Sequence, residues 1–511
     1  MQLLQYPSSK TIIPMMPFEG TSSLVITLNK LHQLLAQRDC HSYIVGGSIR
    51  DLLLGRQTND VDIAVEGNAL NIAEDVAKEL GGKFVLLDEV NGIARIVIEK
   101  ERQWYLDFSP FSGDIKSDLA RRDFTVNAMA VELSQLEATS PLQPIDPFFG
   151  EKDLRNKVVR AVSEQIFKAD PARLLRAVRL AAELDFIIEP ETEALIRHHS
   201  QSITKISGER VREELLRLLS LPRSAHYLRY LDELGLLLAL VPELAESKGV
   251  EQPTVHFWDV FDHSLQTVAT IEFLTRESDW DYGNEDILVS APWSDEIEQH
   301  LSQDISKGSS HKALLKLGGL FHDIAKPKTK FLDDTGRARF LGHAKEGAAM
   351  TASILKRLRF SNREIDFAES LVYYHLRPAQ MANKELPTQR AIYRYFRDTG
   401  DAGIDILILA LADYLASRGP LLDMEEWKGH CHLINYILAE HDKQQAKVLP
   451  VKLIDGHDLM NVFSLTPGPL IGELLATVRE AQAGGELSTR KEALALVQKE
   501  LGRRHHKAAV K

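Results

Sequence analysis

The hydrophobic pattern of this chain changes its period once, and this change limits the possible folds more than any other feature. Between residues 42 and 110, the short apolar runs SYIV, DIAV, KFVLLD, IARIVIE and QWYLDFS occur together with amphipathic stretches such as ALNIAEDVAKELGG. From about residue 152, long helical patterns such as DPARLLRAVRLAAEL take over. Short apolar runs predict strands, whereas apolar residues three or four apart predict helices. The sequence therefore predicts an α+β protein, with an α/β head followed by an all-helical body.

The length of 511 residues favours several domains. Residues 275–310 are polar, acidic and aperiodic, which predicts an inserted loop. The last eleven residues, LGRRHHKAAVK, hold four basic and no acidic residues and predict a mobile tail. The predicted divisions are an N-terminal helical lead-in (1–40), the head (41–150), a helical neck (151–230), a helical domain with the inserted loop (231–425) and a C-terminal helical region with the basic tail (426–511).

Composition limits the compartment and the partners. Two cysteines, Cys40 and Cys431, are too few for a disulfide framework and favour a reducing compartment. We find no signal-peptide pattern and no apolar run near about 18 residues, so we expect a cytoplasmic protein without a membrane span. The net charge of −12 counts against a nucleic-acid partner. Residues 151–230, however, carry 15 basic and 12 acidic residues, a net +3.

Closely spaced carboxylates predict a metal site in the head. Asp60 and Asp62 lie two apart in a predicted strand, so their side chains point to the same face. Such a pair suits a Mg²⁺ ion that also holds substrate phosphates. Asp107, on a later apolar strand with no obvious salt-bridge partner, is a candidate third carboxylate. The alternative for the aspartate pair is an exposed strand edge.

A glycine pair precedes these carboxylates. Gly46 and Gly47 let backbone N–H groups approach a ligand closely, and the helix predicted from Ser48 directs its positive end, with Arg50 nearby, at the same place. A ligand that carries phosphate is the expected occupant. The alternative is an ordinary tight turn.

A second polar pair lies in the neck. Asp170 and Arg173 are three apart at a predicted helix start, so both side chains fall on one face. A carboxylate that accepts and a guanidinium that donates can read the edge of cytosine or adenine, whereas uracil and guanine lack the amino donor. The alternative is an aspartate that stabilises the helix dipole and forms an ion pair with the arginine.

The motifs GGSIRD, NDVDIAV and RRDFTVNAMA (121–130), in this order, resemble the head of class II tRNA nucleotidyltransferases and their bacterial poly(A) polymerase relatives. DPFFGEKDL, ADPARLLRAVRLAAEL and SGERVREELLRLL continue the family order. The resemblance implies two-Mg²⁺ nucleotidyl transfer from CTP and ATP to a tRNA 3′ end without a nucleic-acid template. It places Arg122, Asp123 and Asn127 at the ribose and Asp170 and Arg173 at the base, and Arg176 is a further candidate nucleotide-binding residue. The net-positive neck is then where tRNA is expected to dock.

The chain departs from the family in one informative place. Only thirteen residues, FSPFSGDIKSDLA, separate Asp107 from the RRDF motif. Many relatives that add the whole CCA end have a longer flexible loop here, and relatives without it tend to stop after CC. We therefore hypothesise CC addition alone, with a separate A-adding enzyme as a partner, while full CCA addition stays open. Ala169 replaces a glutamate found in many members but leaves the Asp170–Arg173 pair intact.

The body carries histidines and aspartates on apolar helical flanks, where polar groups are costly to bury unpaired. A single such histidine is usually a satisfied core residue, but several in order favour a divalent metal site. Together they resemble the HD phosphohydrolase superfamily, which implies an unidentified divalent metal and phosphatase or 2′,3′-cyclic phosphodiesterase activity. The predicted metal-site residues are His263, His322, Asp323, His343, His375 and Asp413.

Two other groups in the C-terminal half have both a functional and a structural explanation. Lys326 and Lys328 contact phosphate or belong to a solvated charged loop. The cluster His430-Cys431-His432 lacks supporting partners, and we predict a structural role for it.

Two rival functions remain. A poly(A) polymerase shares the head motifs, but the C-terminal half lacks a large basic RNA-binding extension. A phosphohydrolase whose head only binds RNA would not need all three head carboxylates.

Overall fold

The computed structural model describes residues 23–38, 40–56, 58–99, 103–137, 142–253, 256–382, 385–446 and 452–509. The chain forms two compact units, Met1–Ile206 and Ser207–Lys511. The predicted neck is divided by this boundary, and residues 1–22 of the predicted lead-in lie outside the described part. Helices and strands together confirm the α+β class. Within the described ranges, no helix is long and apolar enough to cross a membrane.

A six-stranded sheet forms the centre of the first unit. Its order is β3-β4-β5-β2-β1-β6, with β2 and β5 parallel and every other pair antiparallel. The first five strands confirm the sequence prediction; the sixth was not predicted. The strands are β1 (Ser42–Val45), β2 (Asp60–Glu66), β3 (Lys83–Asp88), β4 (Ile93–Glu99), β5 (Gln103–Phe111) and β6 (Ala130–Glu132).

The strand register brings charged side chains together. Asp62 on β2 lies beside Asp107 on the parallel strand β5, and Arg95 on β4 lies opposite Asp107. Because side chains alternate along a strand, the neighbours of Asp62 on either side, Val61 and Ile63, point to the other face and are buried. At this position along the strands, one face of the sheet therefore carries the charged side chains and the opposite face packs into the hydrophobic core.

Helices pack around this sheet. The third helix, Ala69–Leu80, is capped at both ends. The side chain of Asn68 accepts a hydrogen bond from the Asn71 N–H before the first turn. Gly81 follows the last turn in the left-handed conformation (φ 67°), which favours glycine. A two-stranded sheet joins β7 (Val158–Val159) to β8 (Ile187–Ile188). The helices are α1 (Ser23–Ala36), α2 (Gly47–Leu53), α3 (Ala69–Leu80), α4 (Ile115–Leu119), α5 (Gly150–Arg155), α6 (Ile166–Ala169), α7 (Arg173–Leu184) and α8 (Pro190–His199).

The second unit is mainly helical. Four of its helices, α12, α15, α18 and α21, pack against one another and form its core. The helices are α9 (Gly208–Leu219), α10 (Ser224–Glu233), α11 (Leu236–Leu240), α12 (Val260–Leu274), α13 (Glu285–Ser290), α14 (Asp295–Ser302), α15 (His311–Phe321), α16 (Lys326–Thr329), α17 (His343–Arg357), α18 (Asn362–Tyr374), α19 (Arg377–Met381), α20 (Gln389–Thr399), α21 (Gly403–Arg418), α22 (Met424–Ala446), α23 (Gly456–Phe463), α24 (Pro469–Ala483) and α25 (Arg490–Ala509).

The inserted loop predicted at 275–310 is wrong in detail. The segment contains α13 and α14, whose first N–H groups are capped by the side chains of Asn284 and Ser294. Two short strands, β9 (Asp304–Ser306) and β10 (Ser309–Ser310), pair before α15. The helices of six and eight residues are too short to show a clear period, which is why the pattern looked aperiodic.

Two further expectations need correction. The body is not all helical, because it also contains the strand pair β11 (Lys330–Leu332) and β12 (Ala338–Phe340). The basic tail predicted from residue 501 continues α25 as far as Ala509. The last three helices form an apolar cluster of their own that includes Leu459, Leu474 and Val497.

Candidate active sites

The head site is a group of three carboxylates on adjacent strands. Asp60 and Asp62 lie on one face of β2, and the register places Asp107 beside Asp62. The side chain of Asp60 is 63% exposed and that of Asp107 is 20% exposed, so the group opens to solvent. Three carboxylates on the same face of adjacent strands offer the oxygen ligands that a hard divalent cation such as Mg²⁺ prefers.

Arg95 corrects the expectation that Asp107 has no salt-bridge partner. Its Nε and Nη2 atoms each donate to one oxygen of Asp107 at 2.7 Å, and Nη2 lies 3.7 Å from an oxygen of Asp60. This bidentate pair could not be predicted from local sequence, because Arg95 on β4 reaches Asp107 across the strand pairing. In the absence of a cation, this guanidinium offsets the mutual repulsion of the carboxylates.

The carboxyl group of Asp62 has a raised pKa. Burial, together with the charges of Asp107 and Asp60, raises its pKa to about 6, although Arg122 and Arg50 oppose the shift. A bound cation would stabilise the ionised form of this carboxyl group, because its positive charge offsets the repulsion from Asp60 and Asp107.

The glycine turn lies directly against the carboxylates. Gly46 has a φ of 72°, and a Cβ atom there would lie 2.7 Å from Nη1 of Arg122 and 3.1 Å from Oδ2 of Asp62. Only glycine fits this position without strain. Ser48 donates its hydroxyl to the Asp60 carbonyl and accepts from the Asp62 N–H at 2.8 Å, which fixes the turn and α2 to the start of β2.

A chain of hydrogen bonds links the predicted ribose-side residues. Arg50, which is buried, donates to Asn127 at 2.9 Å, and Asn127 donates to Asp123 at 3.1 Å. Arg176 then approaches the other oxygen of Asp123 at 3.3 Å. Burial alone would raise the pKa of Asp123, but the charge of Arg176 and the hydrogen bonds from Asn127 and Phe124 hold it below its usual value.

The predicted base-reading pair lies beside the RRDF motif. Arg173 donates to the carbonyl oxygen of Arg121 at 2.9 Å, and its Nε atom lies 4.0 Å from Asp170. Asp170 accepts from the Ala172 N–H at 3.1 Å. Asp170 and Arg173 therefore make the contacts expected of a helix-capping aspartate and its ion-pair partner. The guanidinium of Arg173 also donates to the backbone of the adjoining RRDF motif.

The body site is a compact cluster of four histidines and two aspartates. His263 Nε2 lies 3.0 Å from Asp413, 3.1 Å from His322 Nε2 and 3.4 Å from Asp323 Oδ2. The other oxygen of Asp323 lies 3.3 Å from His343 and 3.9 Å from His375. Asp323 thus stands between two groups of ligand atoms, and all six predicted residues come together.

Backbone carbonyls orient the imidazoles of this cluster. The Nδ1 atoms of His322, His343 and His375 lie 2.7–2.8 Å from the carbonyl oxygens of Gly319, Phe340 and Val372. An imidazole that donates from Nδ1 directs the lone pair of Nε2 towards the centre. These three histidines are therefore oriented as metal ligands.

The buried charges also indicate a cation site. Asp323 is almost fully buried, and among the described residues neither of its oxygens accepts a hydrogen bond of good geometry, although Lys326 Nζ lies 2.5 Å from Oδ2. Burial alone would raise its pKa, but His322 and Lys326 hold it well below the usual range. Burial would likewise lower the pKa of His322, but Asp323 and Asp413 raise it to about 10. A proton on His322 thus supplies, between Asp323 and Asp413, the positive charge that a divalent cation would otherwise provide.

A cavity of about 680 Å³ opens onto this cluster. Its wall includes Lys326, Arg339 and Arg377, so it is suited to an anion. Lys326 is buried here, whereas Lys328 is exposed and agrees with the solvated alternative. His256, which was not predicted, lines the cavity, and burial lowers its pKa to about 4.

The cluster His430-Cys431-His432 agrees with the predicted structural role. Cys431 is buried on α22, and burial raises its pKa to about 12. The ring of His430 packs 3.9 Å from that of Tyr414. None of the three belongs to a candidate metal group among the described residues.

Three family models match the chain. Residues 42–160 match the poly A polymerase head domain, residues 185–248 match a probable RNA- and SrmB-binding site of polymerase A, and residues 260–418 match the HD domain. Both enzymatic families are metal-dependent, and the body holds groups of potential metal ligands among the described residues.

Known proteins resemble the chain over nearly its whole length. An A-adding tRNA nucleotidyltransferase of Deinococcus radiodurans is 34% identical over 89% of this chain and 94% of its own. A CC-adding tRNA nucleotidyltransferase of Thermus thermophilus is also 34% identical, over 89% of this chain and 93% of its own. The Thermotoga maritima CCA-adding enzyme in complex with tRNA superposes with a TM-score of 0.58 and 23% identity, covering 94% of this chain and 97% of its own.

Proposed function

The chain belongs to the tRNA nucleotidyltransferase family, and we propose that its head extends the 3′ end of tRNA with cytidine from CTP, using Mg²⁺. The observation that carries this proposal is the continuity of the head site. The carboxylates Asp60, Asp62 and Asp107 adjoin the Gly46 turn, which in turn adjoins Arg122 and the hydrogen-bonded chain from Arg50 to Arg176.

Each part of this site has a distinct task. Mg²⁺ would activate the primer hydroxyl and neutralise the triphosphate. Asp60, Asp62 and Asp107 would hold the cations, and the N–H groups of the Gly46–Gly47 turn would bind phosphate oxygens. Asn127 and Asp123, held in place by Arg50 and Arg176, would contact the ribose.

The short segment after Asp107 supports addition of CC alone. Strand β5 runs to Phe111 and α4 fills Ile115–Leu119, so the connection to Arg122 is short and regular. The CC-adding and A-adding relatives match 88–90% of this chain, whereas the CCA-adding enzyme of Lactobacillus helveticus matches 47% of it. A separate A-adding enzyme would then complete the end.

The added nucleotides identify the activity directly. Three tRNA primers that end at the discriminator base, at C or at CC are incubated with CTP and ATP, and their 3′ ends are sequenced. We expect extension to CC and no further. Adenosine on the CC primer would contradict CC-only addition, and adenosine on that primer alone would make this an A-adding enzyme.

Asp170 and Arg173 would select the base, because their side chains lie on one face beside the RRDF motif. In Asp170→Asn, the carboxylate that accepts from the amino group is replaced by an amide. We expect the preference for CTP over UTP to fall about 10- to 100-fold, the value of one good base contact. An unchanged preference with reduced stability would leave only the capping role seen at Ala172.

We further propose that the body is a metal-dependent phosphohydrolase acting on 2′,3′-cyclic phosphates or phosphomonoesters at RNA ends. A bound divalent ion would supply an activated water. Lys326, Arg339 and Arg377 give the cavity its affinity for phosphate, and Tyr373 and Tyr374 offer aromatic surface to a nucleoside.

A substrate panel tests this second activity. Purified protein is supplied with 2′,3′-cyclic AMP, 2′-AMP, 3′-AMP and bis(p-nitrophenyl) phosphate, each with Mg²⁺, Mn²⁺, Co²⁺ or Ni²⁺. We expect hydrolysis with at least one transition metal and its loss in His263→Asn. Activity that survives in His263→Asn would exclude the body cluster as its source.

Two rival functions fit less well. The relatives matched over nearly the whole chain are tRNA nucleotidyltransferases, which disfavours a poly(A) polymerase. A head that only binds RNA would not need the complete set of carboxylates.

A further inference from the structure

A second group of histidines lies in the body, outside the cavity described above. His300 comes from α14, His311 is the first residue of α15, and Asp405 lies in the first turn of α21. Their potential ligand atoms all lie within 4.8 Å of one another. None of the three lines the phosphohydrolase cavity. The segment predicted as an irregular loop therefore delivers one histidine and ends directly before another.

The carboxylate at the centre of this group is incompletely satisfied. Oδ2 of Asp405 lies 2.7 Å from Nε2 of His300 and 3.1 Å from Nδ1 of His311. The side chain of Asp405 is fully buried, yet Oδ1 has no hydrogen-bond partner among the described residues. A buried carboxylate oxygen without a partner is costly. The two imidazoles alone leave this cost uncompensated.

We infer that His300, His311 and Asp405 bind one first-row divalent cation, for which Zn²⁺ is the best fit. Two imidazole nitrogens and one carboxylate oxygen are common zinc ligands. The nitrogen–oxygen distances are a few tenths of an ångström below the roughly 3.3 Å that separates ligands about 2.0–2.1 Å from a tetrahedral ion. Small side-chain rotations make up this difference.

The site has an entrance and a structural consequence. The side chain of His300 is 19% exposed, whereas those of His311 and Asp405 are nearly or wholly buried. Water completes the coordination from the side of His300. The ion joins α14 and α15 to α21, and so fixes the 295–310 segment to the core of the unit.

Counting bound zinc tests the inference on the full chain. The protein is loaded with Zn²⁺ and washed with excess Mg²⁺, which clears the oxygen-only head site, and zinc per chain is measured by elemental analysis. We expect His300→Gln to retain one equivalent fewer than the unaltered chain. His432→Gln, which changes an exposed histidine on α22, is the matched control and should lose none.

Asp405→Asn provides a second variant, because it keeps the shape of the carboxylate and removes its charge. We expect it to lose the same single equivalent, with circular dichroism unchanged for the partly exposed His300→Gln. If both variants keep the zinc content of the unaltered chain, the group is only a buried carboxylate with two imidazole donors and the inference is overturned.

Discussion

The two candidate sites of this chain, in the head and in the body, hold their candidate metal ligands in opposite ways. In the head, the ligands are oxygens only, and the side chain of Asp60 is 63% exposed. In the body, His263 and His322 are fully buried and Asp323 is nearly so. The head would leave room for a large substrate that brings its own phosphates, whereas the body would surround a cation with protein. The difference indicates weak, substrate-assisted metal binding in the first site and tight binding in the second.

The two sites also manage charge differently before a cation binds. In the head, the positive charges come from arginines, with Arg95 on Asp107 and Arg122 near Asp62. In the body, a proton on His322 and the ammonium group of Lys326 compensate Asp323. Metal binding in the body would therefore displace a proton, whereas in the head it would replace an arginine contact.

Metal withdrawal should give the largest contrast between the sites. After rapid passage over a chelating resin, we expect CTP incorporation to fall at least about 10³-fold, because exposed oxygen ligands exchange Mg²⁺ quickly. Phosphohydrolase activity should survive this step and disappear only on long incubation with a strong chelator. Added Mg²⁺ should restore incorporation at once. Equal rates of loss for the two activities would remove the proposed difference in metal retention.

The fall in the rate of CTP incorporation at low pH should follow the protonation of Asp62. Its pKa, raised to about 6 by burial, means that the carboxyl is protonated below this pH and cannot hold a cation. At limiting Mg²⁺, we expect the rate to fall about tenfold for each pH unit below 6, and excess Mg²⁺ should move the midpoint to lower pH. A midpoint that stays fixed as Mg²⁺ increases would assign the limb to another group.

A smaller effect is expected at Arg95. Arg95→Gln leaves Asp107 without its partner, which costs about 1–3 kcal/mol when no cation is bound. We expect the midpoint of thermal unfolding to fall by about 2–12 °C in EDTA and by less in Mg²⁺, because the cation replaces the lost charge. Arg38→Gln, at an exposed ion pair, is the control. A loss of stability that Mg²⁺ does not reduce would mean that Arg95 only supports the sheet.

The sequence was sufficient for the features that local periodicity records. Five strands of the sheet and the alternation that places Asp60 and Asp62 on one face were predicted correctly. The contact of Arg95 with Asp107 was missed, because a cross-strand register depends on pairing between distant segments. The same reason hid Asp405, which lies 105 residues from His300.

Other errors came from signals that were present but weak. Asn284 and Ser294 are good helix N-caps, and each precedes acidic residues in the first turn of a helix. These signals could have identified α13 and α14 within the polar 275–310 segment. His256 precedes His263 by seven residues, but nothing in the sequence distinguished it from a core histidine.

The head and the body are expected to be two chemically independent catalytic sites of one chain. The most direct test measures CTP incorporation and cyclic-phosphate hydrolysis in the same preparations of Asp62→Asn and His263→Asn. We predict that Asp62→Asn lowers incorporation at least about 10³-fold and changes hydrolysis less than about twofold, and that His263→Asn does the reverse. A fall of both activities in either folded variant would contradict the independence of the two sites.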